Sequence, residues 1–183
     1  RIEDSPDGKT RWVRLVVPVT EGPRYRVGEF TFAGNDVVKE EFLRPLFKLR
    51  PGQWYSEKRI RDGLEKAREL YGQGGYFEFT GYPDLVPQQA AEGPMAGPAQ
   101  PTVNVTMQMQ EGAQYFVNRI TFTGNTTTRD TVVRRELRLV EGGVFNTEAL
   151  KYSIRRLNQL GYFQQLEGTN DVQVDKSPDV PNN

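Results

Sequence analysis

Apolar and polar positions alternate along two stretches of the chain in the same way. Tyr25 and Val27, then Phe30 and Phe32, alternate with one change of phase, and Tyr115, Val117, Ile120 and Phe122 change phase at the same place. Period-two alternation predicts a half-buried strand, and the phase change predicts a bulge or bend within it. At the strand ends stand Gly34-Asn35 and Gly124-Asn125. Glycine permits positive φ and asparagine tolerates it, so these pairs are expected as structural turns into a helix, with no ligand needed. Val38, Phe42 and Leu46 in one stretch, and Val133 and Leu137 in the other, recur at helical spacing. They predict a short first helix, which Pro45 distorts or ends in the first copy. Ser56 and Asn146 are good N-cap residues, each followed within two positions by an acid, Glu57 or Glu148, that suits the helix dipole. The second helix they open carries an apolar stripe of Ile60, Leu64, Ala67 and Tyr71, or of Leu150, Ile154 and Leu157. Gly75 and Gly161 stop these helices, and aromatic strands are expected from Tyr76 and Tyr162. A third strand, about Thr102 to Gln110, follows in the first copy, after a stretch from Val86 to Pro101 rich in Pro, Ala, Gly and Gln that reads as a mobile loop.

The same β-α-α-β order therefore occurs twice, completed by a further strand in the first copy, and the residues repeat with it. A shift of 90 positions lays Glu21-Gly22, Tyr25, Val27, Thr31, Phe32 and Gly34-Asn35 on Glu111-Gly112, Tyr115, Val117, Thr121, Phe122 and Gly124-Asn125. Val13, Leu15, Val17 and Val19 alternate ahead of the first Glu-Gly as Val103, Val105, Met107 and Met109 do ahead of the second. Residues 1–20 thus read as the closing hairpin of an earlier unit, 21–110 as a full unit, and 111–183 as a unit that ends before its last strand. The expected class is α+β. Two units joined at Glu111-Gly112 with almost no linker predict a stiff joint.

Composition narrows the chemistry. The chain has 183 residues with 24 basic and 24 acidic side chains, so its overall field gives no reason to expect nucleic acid or an anionic membrane surface. It has neither cysteine nor histidine, which excludes thiol nucleophiles, disulfides, zinc sites of the usual kind and His-based triads. The acid pairs Glu40-Glu41, Asp62 with Glu65 and Asp171 with Asp175 fall in exposed helix or loop positions with no pocket implied. Gly72-x-Gly74-Gly75 follows a helix and so offers no helix N-terminus to a phosphate. Asn125-Thr126-Thr127 fits the glycosylation pattern, which matches often by chance. No catalytic residue, metal or cofactor is expected, and no apolar run is long enough to span a bilayer as a helix.

The series Glu-Gly, Tyr-x-Val-x-x-(Phe/Ile)-x-Phe-x-Gly-Asn, helix, Gly-x-(Trp/Val)-(Tyr/Phe), helix, Gly-Tyr-Phe resembles the polypeptide-transport-associated (POTRA) domain over nearly the whole chain. The resemblance implies tandem POTRA domains, each a three-stranded mixed sheet with two helices on one face, in the periplasmic region of a Gram-negative outer-membrane protein. Such domains precede a membrane β-barrel in assembly factors of the BamA type, in TamA-like relatives and in two-partner secretion transporters. Leu160-Gly161-Tyr162-Phe163 and the run Arg134 to Gly142 are most similar to the barrel-adjacent BamA domain, and a hairpin ahead of two units implies at least three in the parent. The implied function is a scaffold in β-barrel assembly that binds accessory lipoproteins and unfolded outer-membrane proteins, beside its own C-terminal barrel. A TamA-like or secretion role is the nearer alternative, and an enzyme or carbohydrate-binding domain the one of a different class.

Two sets of residues follow from that resemblance. Arg134, Arg138 and Glu141 correspond to a docking surface for a tetratricopeptide lipoprotein of the BamD kind; a solvated helix face, or for Glu141 a role in the turn, is the competing explanation. The second strand lies at a sheet edge in the family fold, which makes Phe77, Glu78, Phe79 and Thr80, and Phe163, Gln164, Gln165 and Leu166, candidates for pairing with an extended client. The competing explanation is that these aromatics are core. A further expectation is strand-swapped self-association, with residues 11–20 of one copy filling the vacant strand position in another.

Overall fold

The computed structural model describes residues 2–4, 11–13, 15–19, 22–88, 101–166 and 172–175. In chain order the elements are β1 (Ile2–Asp4), β2 (Arg11–Val13), β3 (Arg26–Ala33), α1 (Glu40–Phe47), α2 (Glu57–Gln73), β4 (Thr80–Gln88), β5 (Thr102–Gln110), α3 (Asp130–Arg134) and α4 (Thr147–Leu160). β1 and β2 pair antiparallel, and the other strands form one sheet in the order β3-β5-β4. β5 lies in the middle, parallel to β3 and antiparallel to β4. The class is α+β, and the first unit has the mixed three-stranded sheet that the resemblance implied.

β3 changes register between Val27 and Phe30, where the apolar phase flips. The side chain of Asn104 on β5 accepts the Glu29 N–H at 2.9 Å, a bond the interrupted ladder would otherwise lack. Along β5, Val103, Val105, Met107 and Met109 are buried and the intervening residues are half-buried, because one face of the sheet carries the helices. The core joins these four to Val27, Phe30, Leu43, Phe47, Ile60, Ala67, Tyr71 and Phe79.

The first helix is turned from its expected face. Leu43 and Phe47 are fully buried, whereas Phe42 is 61% exposed. The cause is the close approach of α2, where Gly63 lies against Phe47 so tightly that a Cβ there would overlap the ring and the Phe47 backbone. Pro45 does not stop α1, which runs two residues further before Lys48 leaves it with φ 50°. In so short a helix a proline at the sixth position forfeits a single hydrogen bond. In α2 the expected stripe holds: Ile60, Ala67 and Tyr71 are buried, and Ser56 caps the helix by accepting from the Arg59 N–H.

The second strand begins later than expected. Tyr76 to Phe79 form a turn in which the Tyr76 N–H bonds the Tyr71 carbonyl at 3.0 Å and the Phe79 N–H bonds the Tyr76 carbonyl at 3.1 Å. Phe79 stacks on Tyr71 with ring centroids 4.2 Å apart. Pairing with β5 starts at Thr80 and continues to Gln88, so Val86 and Pro87 belong to a strand instead of the expected loop; 89–100 lies outside the described residues.

In the second unit the helices recur. Asn146 caps α4, accepting from the Ala149 N–H, and Leu157 is buried with Leu150 and Ile154 half-buried. The bridge between Phe116 and Val144 repeats that between Arg26 and Trp54. The expected strand at 115–122 does not form a ladder, because among the described residues no segment pairs with its other side, where β5 lies in the first unit. No strand forms from Tyr162 either. Gly161 ends α4 with φ 68°, and the Asn158 amide then bonds both the N–H and the carbonyl of Leu166.

Candidate functional site

Arg134, Arg138 and Glu141 do not form a single outward patch. The Arg134 guanidinium donates to the Ile120 carbonyl at 3.0 Å and to Glu141 at 2.9 Å, and lies over the Phe122 ring. Glu141 in turn accepts the Ile120 N–H at 2.8 Å. The ion pair therefore occupies both backbone groups of one residue of the extended segment. That backbone bond is the main reason the Glu141 carboxyl is held below its usual range, with Arg134 contributing next. In the first unit Arg44 takes the place of Arg134, donating to the Phe30 carbonyl at 2.8 Å and pairing with Glu40. Arg134 and Glu141 are accordingly a clip that holds the extended segment at Ile120 against α3, a structural role different from the turn role weighed for Glu141 from the sequence.

Arg138 differs. Its guanidinium lies 3.5 Å above the Tyr152 ring on α4, and its side chain bridges no carboxylate among the described residues. The backbone beneath it is fixed, since the Arg138 N–H donates to Ser153 Oγ at 2.9 Å while that hydroxyl donates to the Ala149 carbonyl. Val140, 71% exposed, lies two residues on. Alongside, Glu136 is held below the usual carboxylate range, chiefly by its bond to Arg156 and then by Arg135. Tyr152 and Ser153 were not singled out from the sequence. The one signal for Ser153 is that it stands where Gly63 stands in the first unit, a small residue at the same helix contact.

The residues expected at client-binding edges are engaged elsewhere. Phe79 is core, and Phe77 packs between Tyr115 at 4.7 Å and Phe145 at 5.3 Å. Glu78 accepts from the Tyr115 hydroxyl at 2.8 Å, which leaves Thr80 as the only member of this set in β4. Phe163, Gln164, Gln165 and Leu166 lie in an irregular segment closed back on Asn158. Burial at the joint outweighed edge pairing because aromatic side chains gain most by leaving water.

Gly34 and Gly124 have φ of 73° and 82°, as a turn there requires. Asn35 and Asn125 act differently from expectation: neither has positive φ, and each donates its side-chain amide to the carbonyl three residues on, Val38 or Thr128. The joint is closed by Glu111, whose carboxylate accepts the N–H groups of Asp36, Val37 and Val38 and the Tyr71 hydroxyl, the last at 2.5 Å. Burial, then this bond, pushes the Tyr71 phenol well above its usual value. Further bonds run from the Tyr115 N–H to the Gly75 carbonyl and from the Gln114 amide to the Gly74 carbonyl.

An open hollow of about 410 Å³ lies between Arg26, Trp54 and Arg59. Arg59 there bonds Gln53, and Arg26 bonds the Gly52 carbonyl and covers Trp54. No group of acidic, histidine or cysteine side chains able to hold a metal occurs among the described residues, and no helix there is long and apolar enough to cross a membrane.

The family model for POTRA, described as surface antigen variable number repeat, matches residues 25–112 and again 115–181. The outer membrane protein assembly factor BamA of Neisseria meningitidis serogroup B is 34% identical over 155 residues, which is 84% of this chain and 18% of that protein. The BamA of Buchnera aphidicola is 26% identical over 155 residues, 85% of this chain and 24% of its own length. The chain thus spans about a fifth of these relatives. In fold it is similar to the crystal structure of Haemophilus influenzae BamA POTRA3-5, with a TM-score of 0.67 at 23% identity, covering 91% of this chain and 62% of that one. It is also similar to BamA from Haemophilus ducreyi lacking POTRA domains 1-3, with a TM-score of 0.58 at 24% identity over 78% of this chain and 25% of that one.

Proposed function

This chain belongs to the POTRA family, its two units being of the kind found in BamA-type proteins, and from that membership we propose that it is part of the periplasmic scaffold of an outer-membrane protein assembly factor. The scaffold precedes a membrane β-barrel in the same polypeptide and holds accessory lipoproteins near it while unfolded outer-membrane proteins are delivered. The observation that carries this reading is the match of both units, in tandem, to relatives named as assembly factors.

The geometry supports docking on the helical shoulder of the second unit. A guanidinium stacked on an aromatic ring is already oriented, so less side-chain freedom is lost when a partner carboxylate meets it. Arg138 on Tyr152, with Val140 beside it, combines that with exposed apolar surface, the pairing of residue types common at interface centres. The proposed partner is a tetratricopeptide lipoprotein of the BamD kind, engaged through an acidic side chain. Arg134 and Glu141 support the surface by holding the segment beneath it. Strand addition by clients would need an open backbone edge, which neither Phe77–Thr80 nor Phe163–Leu166 supplies here.

Calorimetric titration of the chain with the cognate lipoprotein tests this reading. Saturable binding that weakens at least roughly tenfold in Arg138→Glu is the expected result, since reversing the charge sets two carboxylates against each other. Equal binding by the variant removes Arg138 from the surface. No binding by the folded parent favours a TamA-like or secretion role.

A further inference from the structure

The sheet of the first unit has two outer edges, and the register shows what each offers to another strand. In the parallel pairing of β3 with β5, Thr31 lies opposite Thr106, and because the Phe30 carbonyl is turned away from β5 to Arg44, it is Thr31 whose backbone groups face β5 and reach Val105 and Met107. The odd-numbered residues of β5 therefore serve β3, and the even-numbered ones serve β4. Through the unbroken pairing of Thr80 with Gln110 down to Gln88 with Thr102, the even-numbered residues of β4 point at β5. The odd-numbered residues, Gly81, Pro83, Leu85 and Pro87, present their backbone outward. An independent argument gives the same parity: a proline pointing inward would delete a ladder bond, and the pairing runs through both prolines without a gap.

We infer that Pro83 and Pro87 close the β4 edge to added strands, so that neither edge of this sheet pairs with an extended client segment or with a second copy of the chain. Two of the four outward positions have no N–H to give, and each ring projects where an incoming carbonyl would have to lie. Gly81 stands alone ahead of Pro83, and Phe79 before it is core. The β3 edge is occupied by the chain itself from Tyr25 to Phe30. The Val27 N–H bonds the Gln53 carbonyl at 2.8 Å, the Gly52 N–H bonds the Val27 carbonyl at 2.7 Å, and the Tyr55 N–H bonds the Tyr25 carbonyl at 3.0 Å. Beyond them Arg44 occupies the Phe30 carbonyl. Extended partners are in this way excluded from the first unit, and whatever it binds must be held by side chains.

The test compares the full chain with Pro83→Val/Pro87→Val and with Pro83→Val alone. Valine suits an edge strand, so the variants keep the fold, which circular dichroism verifies. The probe is a synthetic peptide with the sequence of residues 102–110, followed by amide exchange, with mass measured in parallel by light scattering. The parent is expected to stay unprotected at Leu85 and to take up no peptide. The double variant is expected to gain peptide binding or self-association by roughly tenfold or more, from two restored donors and the removal of two clashes. Peptide pairing along β4 in the parent, or no gain in the double variant, would overturn the inference. Because no lipoprotein is involved, either result leaves the docking surface to be judged separately.

Discussion

Arg44 and Arg134 occupy equivalent places in the two units and make the same bond to the extended segment below them, yet their acids come from different directions, Glu40 within the helix and Glu141 from beyond it. Position in the repeat is thus a better guide to the role of Arg134 than its place in a charged run. The clip titrates. Glu141 has a pKa below its unfolded value, so the stability it adds is fully present above the ordinary carboxylate range and is lost as pH falls through the lowered value. The protection factor of the Ile120 amide, its exchange rate referred to the intrinsic rate at the same pH, should fall as the solution is acidified across that window. In Glu141→Gln this pH dependence of the protection should largely vanish, while the bond to the Ile120 N–H persists through the amide oxygen. Such detail was not legible beforehand, because a glutamate that will reach a strand and one that will face water look alike in a list of charges. The turn asparagines teach the same lesson: Asn35 and Asn125 were legible as turn residues, but their side-chain bonds depend on where the third carbonyl lies.

At the scale of elements, helix contacts decided what periodicity left open. The stripe of α2 was legible because four apolar residues spaced over three turns leave one face to bury. The face of α1 was not, since eight residues with Phe42, Leu43, Leu46 and Phe47 admit more than one stripe. Gly63 chooses among them by letting Phe47 come down on α2. Gly63→Ala should cost about 1–3 kcal/mol of unfolding free energy, the range for overpacking a tight core, since ring and backbone would both have to move. Urea unfolding followed by the fluorescence of Trp54, which sits next to α2, measures it. A change of a few tenths would mean that α1 can shift freely and that the contact does not set its face.

Across the whole molecule, the joint joins by side chains what the backbone connects through a single glycine turn. Phe77 fills the space between Tyr115 and Phe145, Glu111 ties the chain to the loop after β3, and the end of α2 meets Thr147 of α4 at Gly72. To the short connection, from which stiffness is expected, the structure adds half-buried aromatic contact. Phe77→Ala should loosen the units without unfolding either. Nuclear spin relaxation should then report faster and separate tumbling for residues of α2 and α4, and a single common correlation time in the variant would show that the short connection alone suffices. Phe77 and Glu78 were read from the sequence as residues for pairing with a client strand, and in the structure both contact Tyr115 of the next unit.

Much of this protein was determined by the sequence alone. The β-α-α-β-β order of the first unit, the pair of helices repeated in the second, the bulge in β3, the caps at Ser56 and Asn146, the stripe of α2 and the extent of β5 all follow from local periodicity and local backbone preference, which neighbouring residues settle among themselves. Tertiary structure decided the rest. Which face of α1 is buried, where β4 begins, which side of β4 its prolines guard, and whether Arg134 serves a partner or its own strand depend on groups far apart along the chain. Those outcomes rest on competition for burial and for hydrogen bonds, and it is resolved only when the competing groups meet in space.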